Sequence, residues 1–147
     1  MSDAPVTGAL AEIRDEFLDL EEQDRLLLLL DFANELPELP DRYADHPDLL
    51  ERVVECQSPV FLTVEVADDE VSVIASAPRE APTTRGFASI LAQGLEGLSM
   101  HDVLAVPDDF PQMLGLGRAV SPLRLSGMSG MLARIKRQVR EKSADAR

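Results

Sequence analysis

Tryptophan is absent from this chain of 147 residues, and tyrosine and cysteine each occur once. With aromatics at only 4% of the sequence, any core has to be aliphatic. The single cysteine, Cys56, excludes an internal disulfide and fits a reducing compartment, so a cytoplasmic location is expected. Histidine is nearly as scarce. His46 and His101 are far apart and have no carboxylate at ligand spacing, so both read as surface or loop residues and no metal centre is expected. The run Leu26 to Leu30 is far too short to cross a membrane. No basic region followed by an apolar segment opens the chain, so no signal peptide is expected.

Cations are also in short supply. Fourteen Lys and Arg face 27 Asp and Glu, a net charge of −13, which argues against nucleic acid as a partner because phosphate binding needs clustered cations. The imbalance is uneven. Residues 1–56 carry −12, residues 57–116 carry −7, and residues 117–147 carry +6. That basic end fits either a docking surface or a solvated helix face with cations matched to the helix dipole.

Hydrophobic residues make up 45% of the chain, too many for a disordered one, and the length suits one domain over 1–147 with loose ends at 1–8 and 143–147. Leu10, Ile13, Phe17 and Leu20 recur at helical spacing, and a mostly buried helix covering Leu26 to Phe32 should stop near Leu36. Leu36-Pro37-Glu38-Leu39-Pro40 has to be an extended connector, since neither proline can donate to a helix. Asp45-His46-Pro47 predicts a turn that opens a short helical piece through Leu50.

Alternation from Val60 to Val66, a turn at Asp68-Asp69 and a return over Val71 to Ala75 predict a β-hairpin. Val53-Val54 is the candidate third strand, and helices should cover one face, since two strands alone are marginal in water. From Thr83 the period becomes helical, with Phe87, Ile90, Leu91 and Leu95 on one stripe. Ser99 reads as the cap of a short helix over Met100 to Val106, and Pro107-Asp108-Asp109 as the start of another helical turn. Gly115-Leu116-Gly117 reads as a flexible connector. Ser121-Pro122 then starts a long final helix with Leu125, Met128, Leu132, Ile135 and Val139 on its core side. The whole pattern predicts one α+β domain.

The chemistry is concentrated at one point. Gln57-Ser58-Pro59 directly after Cys56 prevents a helix and places the thiol on a loop that feeds a strand. From these residues alone an inert core thiol and a reactive thiol both remain open. There is no glycine-rich phosphate loop, because Gly86, Gly94 and Gly97 fall within or at the end of a predicted helix, and Ser58 has no evident histidine base. Cys56 is left as the one group with intrinsic reactivity, and it has no thiol partner within the chain.

Four stretches in order resemble one family. Cys56-Gln57-Ser58-Pro59-Val60-Phe61 resembles the Gly-Cys-Gln-Ser-X-Val-Trp signature of SufE proteins, the sulfur acceptors for cysteine desulfurases. Leu36 to Pro40 is similar to that family's Leu-Pro-X-Leu-Pro connector, and Arg85-Gly86 to the basic-Gly pair opening its central helix. Ser121-Pro122-Leu123-Arg124-Leu125-Ser126-Gly127 is similar to its Ser-Pro-Ser-Arg-X-Asn-Gly segment, with a Met-X-X-Arg-Ile pattern following in Met131 to Ile135.

The resemblance covers roughly residues 17–140 and implies a SufE/NifU-like (IscU-like) fold, a small antiparallel sheet of about three strands covered by helices. It also implies a transient persulfide on Cys56, taken from a SufS-like desulfurase and passed to a SufBCD-like iron–sulfur scaffold. The pyridoxal phosphate belongs to the desulfurase, so no cofactor is expected here, nor a membrane partner, and the chain should be a monomer or weak homodimer. It would act as an accessory protein rather than a stand-alone enzyme. In the family the cysteine loop is partly shielded and extends into the partner on docking. Gln57, Ser58, Arg124 and Arg85 are the supporting candidates.

Two other functions stay open: a regulatory module that docks without carrying sulfur, and a thiol redox sensor. Three positions depart from the family pattern. Glu55 replaces glycine and should raise the thiol pKa unless Arg124 or a partner compensates. Phe61 replaces tryptophan and Ser126 replaces asparagine. Arg124 should either lie near the cysteine loop or pair with acids.

Overall fold

Asp68 and Asp69 turn the chain back on itself. Both adopt left-handed backbone angles, φ 53° and 65°, the conformation that a two-residue hairpin turn requires and that aspartate tolerates better than most residues. They join β2 (Phe61–Ala67) to β3 (Glu70–Ser76), paired antiparallel from Phe61–Ser76 to Ala67–Glu70. Leu62 and Val64 from β2, with Val71, Val73 and Ala75 from β3, are buried, as the period-two pattern requires. A third strand, β1 (Glu51–Arg52), pairs antiparallel with Leu62 and Phe61, so the sheet order is β1-β2-β3. The third strand therefore precedes the expected Val53-Val54. Val53 instead continues the pairing through one hydrogen bond, its N–H donating to the Val60 carbonyl at 2.9 Å.

This computed structural model describes residue 6 and residues 8–145. Among the described residues six α-helices accompany the sheet: α1 (Gly8–Asp19), α2 (Glu22–Asn34), α3 (Asp41–Ala44), α4 (Pro82–Leu95), α5 (Met100–Ala105) and α6 (Pro122–Asp145). Helix α4 packs on β3 and α6 on β2, while α1 and α2 pack on α4. The stripes expected for α4 and α6 are all buried, Leu125 to Val139 included. Leu10, Ile13 and Phe17 of α1 are buried too, and the Phe17 and Phe32 rings stack with centroids 6.0 Å apart. The Ser99 hydroxyl caps α5 by accepting the Asp102 N–H at 3.0 Å, and the Ser121 hydroxyl accepts the Arg124 N–H at 3.3 Å.

Several expectations need correction. Helix α2 is amphipathic rather than mostly buried: Leu29, Phe32 and Ala33 face inward while Leu27 is exposed, because only one side of it meets α4. The unforeseen α3 is docked by Glu65, which accepts Arg42 and Tyr43 at 2.5–3.0 Å. The segment 115–117 is anchored rather than flexible, since Leu116 is buried and the Gly115 carbonyl accepts Arg25 Nη1 at 2.9 Å. Helix α6 runs on through Asp145, beyond the loose end expected from residue 143, because no Gly or Pro follows Gly130 to stop it; 146–147 lie outside the described residues. Of the loose start expected at 1–8, Val6 is buried, Gly8 opens α1 and the remainder lies outside the described residues.

The short β1 leaves the outer edge of β2 unpaired beyond Leu62. Gln138 of α6 closes it: the Val64 N–H donates to its side-chain oxygen at 2.8 Å, and its amide donates to Glu51 Oε1 at 3.0 Å.

Candidate functional site: the Cys56 loop on the final helix

The cysteine loop is clamped at both ends by buried valines, Val53 and Val60, joined by the hydrogen bond noted above. Within it the Cys56 N–H donates to the Val53 carbonyl at 3.1 Å, a tight turn that lifts Val54 into solvent and folds Cys56 inward. Cys56 is therefore on a loop feeding a strand, but only 6% exposed.

Two glycines of α6 make the seat. Gly127 and Gly130, three residues apart, lie on one helix face. A Cβ on Gly127 would come within 3.0 Å of Cys56 Sγ, and one on Gly130 within 2.8 Å of the Glu55 side chain. The loop thus rests almost directly on helix backbone. Beside the thiol a cavity of about 150 Å³ opens, enough for several waters or a few heavy atoms. Its lining includes Cys56, Gln57 and Ser58, Thr83 and Thr84 at the start of α4, and Leu123, Arg124 and Gly127 of α6.

The Cys56 thiol is pushed up to about 11, chiefly by burial and secondly by the charge of Glu55, with Arg134 partly opposing both. The rise expected from Glu55 is present, but desolvation is the larger cause and the compensating cation is Arg134, not Arg124. Arg134 lies at the centre of an ion-pair network. It meets Glu55 Oε1 at 3.0–3.1 Å and Glu51 Oε2 at 2.6 Å, and Glu51 also accepts Arg137 and Gln138. For Glu51, burial works against ionisation, but the hydrogen bonds from Arg134, Arg137 and Gln138 outweigh it and hold the carboxyl below its ordinary value.

Of the supporting candidates, Gln57, Ser58 and Arg124 share the cavity with the thiol. Arg124 donates to the Thr83 hydroxyl at 3.5 Å and meets no carboxylate among the described residues. Arg85 does not reach the cavity. Its Nε donates to the Ala33 carbonyl at 2.9 Å and its Nη1 to the Ala77 carbonyl at 2.6 Å, tying the end of α2 and the β3–α4 connector to α4. Among the described residues no group of three or more His, Cys, Asp or Glu gathers where it could hold a metal ion, and no helix is long and apolar enough to cross a membrane.

Residues 11–139 match the family model described as "SufE: Fe-S metabolism associated domain". The chain belongs to the SufE family. An uncharacterized SufE-like protein of Mycobacterium tuberculosis is 55% identical over 139 residues, spanning 94% of this chain and 96% of that one. The Arabidopsis thaliana SufE-like protein 1, chloroplastic/mitochondrial, is 33% identical over 81 residues, 55% of this chain but only 22% of its own length. The solution structure of a hypothetical protein from Thermus thermophilus superposes with TM-score 0.79 at 38% identity, covering 90% of this chain and 94% of that one. The α+β SufE-like fold and a place in iron–sulfur metabolism follow.

Set against the SufE pattern, the departures acquire physical content. Glu55, in the glycine position, uses its side chain to grip α6. Phe61 keeps an aromatic ring, over which the Arg52 guanidinium lies 5.9 Å from the centroid. Ser126 is exposed. Glu51 and Gly130 were not singled out from sequence, while Gly127 and Arg134 stood there only within the family-like segments, with no role assigned. The three-residue glycine spacing and the charge contrast between the acidic first third and the basic final helix were the available signals.

Proposed function

We propose that this SufE-family chain is a sulfur acceptor and activator of a pyridoxal-phosphate-dependent cysteine desulfurase. One observation carries the reading: the lone thiol opens onto a cavity that also holds the Arg124 guanidinium, on a fold that belongs to iron–sulfur metabolism. In the step proposed, the Cys56 thiol gives up its proton and the thiolate attacks the outer sulfur of a cysteine persulfide on the desulfurase. The partner's S–S bond breaks, its cysteine leaves as thiolate and takes up a proton, and Cys56 becomes the persulfide. That sulfur then passes to an iron–sulfur scaffold of SufBCD type. A scaffold needs several cluster ligands, and one cysteine suits a carrier better than a builder.

With a thiol pKa near 11, only about one molecule in three thousand is thiolate at pH 7.5. The free protein is therefore a weak nucleophile, and activation falls to docking, which brings the thiol out of its desolvated seat. The same burial disfavours a redox sensor, whose cysteine is accessible and acidic. It leaves a non-carrying docking module as the second reading.

Intact-protein mass spectrometry after incubation with the desulfurase and cysteine tests the proposal. Wild type should gain one or more sulfur atoms, reversed by reductant and absent in Cys56→Ser. No gain, with desulfurase turnover still stimulated, would establish the docking reading instead.

A further inference from the structure

Glu55 is held on α6 in two ways. Its Cβ, Cγ and Cδ lie over Gly130, where a Cβ would meet all three at 2.8 Å, and its Oε1 takes Arg134 Nε at 3.1 Å and Nη2 at 3.0 Å. The same guanidinium holds Glu51 of β1 through Nη1 at 2.6 Å. One side chain on the helix therefore ties down both the strand entering the cysteine loop and the residue next to the thiol. One turn earlier on α6, Cys56 Sγ rests against Gly127.

We infer that Glu55 and Arg134 are positioning residues that form a clasp, keeping the Cys56 loop seated in the groove of Gly127 and Gly130 and letting it lift when they part. The remaining charged groups around the loop fit this role. Arg137 holds Glu51, while Glu80 and Arg124 sit across the cavity without joining the network. The clasp is independent of whether Cys56 carries sulfur, because what it sets is the opening of the loop.

Native-state amide hydrogen exchange on the full chain, in wild type, Glu55→Gln, Arg134→Gln and Arg137→Gln, tests it. The readout is the Cys56 amide, bonded to the Val53 carbonyl. Losing a partly exposed ion pair should speed its exchange about two- to fivefold in Glu55→Gln and Arg134→Gln. Arg137→Gln, which leaves Glu55 and Arg134 paired, should keep wild-type protection. Glu55→Gln decides the matter, because it preserves the Arg134–Glu51 pair that supports β1. Wild-type exchange at Cys56 in that variant overturns the clasp. So does an increase shared equally by the buried amides of α4, which would report general loosening.

Discussion

Cys56 Sγ and Gly127 Cα are packed so closely that a single methyl group between them would lie 3.0 Å from the sulfur. The thiol is thus controlled by a residue that has no side chain. Gly127→Ala adds helix propensity of up to about 1 kcal/mol but overpacks the seat at a cost of about 1–3 kcal/mol. The expected outcome is a small loss of thermal stability with faster alkylation of Cys56 by iodoacetamide. Slower alkylation in the variant would mean that the thiol is displaced inward, against this geometry.

The raised thiol pKa sets a pH signature. Alkylation should accelerate about tenfold per pH unit and level off only near pH 11. Stability follows with the opposite sign. The folded state holds its thiol proton more tightly than an unfolded chain does, so the contribution is complete below the ordinary thiol pKa of 9.0 and is lost as pH rises toward 11. Cys56→Ser should lack that alkaline decline in denaturation curves.

Arg124 is the cation that faces the cavity. Arg124→Ala should slow sulfur uptake from the desulfurase about fivefold, the worth of roughly 1 kcal/mol from a solvent-exposed charge. Its melting temperature should match wild type, since among the described residues the side chain makes one long hydrogen bond, to Thr83. Equal uptake rates with an intact fold would remove Arg124 from the site.

Arg85 should behave in the opposite way. Arg85→Met strands the carbonyls of Ala33 and Ala77, and each unsatisfied group costs about 1–3 kcal/mol where it is buried. Urea denaturation should show the loss, while Cys56 alkylation in the folded protein stays at the wild-type rate.

Periodicity, turn chemistry and caps are local, and they made the Asp68-Asp69 hairpin, the Ser99 and Ser121 caps and the buried stripes of α4 and α6 legible in the sequence. The lone cysteine with Gln57-Ser58-Pro59 behind it likewise marked the one chemical group, and together with the three other stretches it marked the family. What the sequence could not show was whether that thiol is presented or hidden. The answer depends on α6, about seventy residues away, whose Gly127 and Gly130 let the loop settle on helix backbone and desolvate Cys56. The split between Arg124, which faces the cavity, and Arg85, which braces the backbone, was equally beyond reach, because an arginine reads the same in sequence whichever oxygen it meets. Gln138 sealing the edge of β2 and Arg134 gripping Glu55 belong to the same class. Local pattern chose the elements, and the packing of one helix against one loop decided what the cysteine can do.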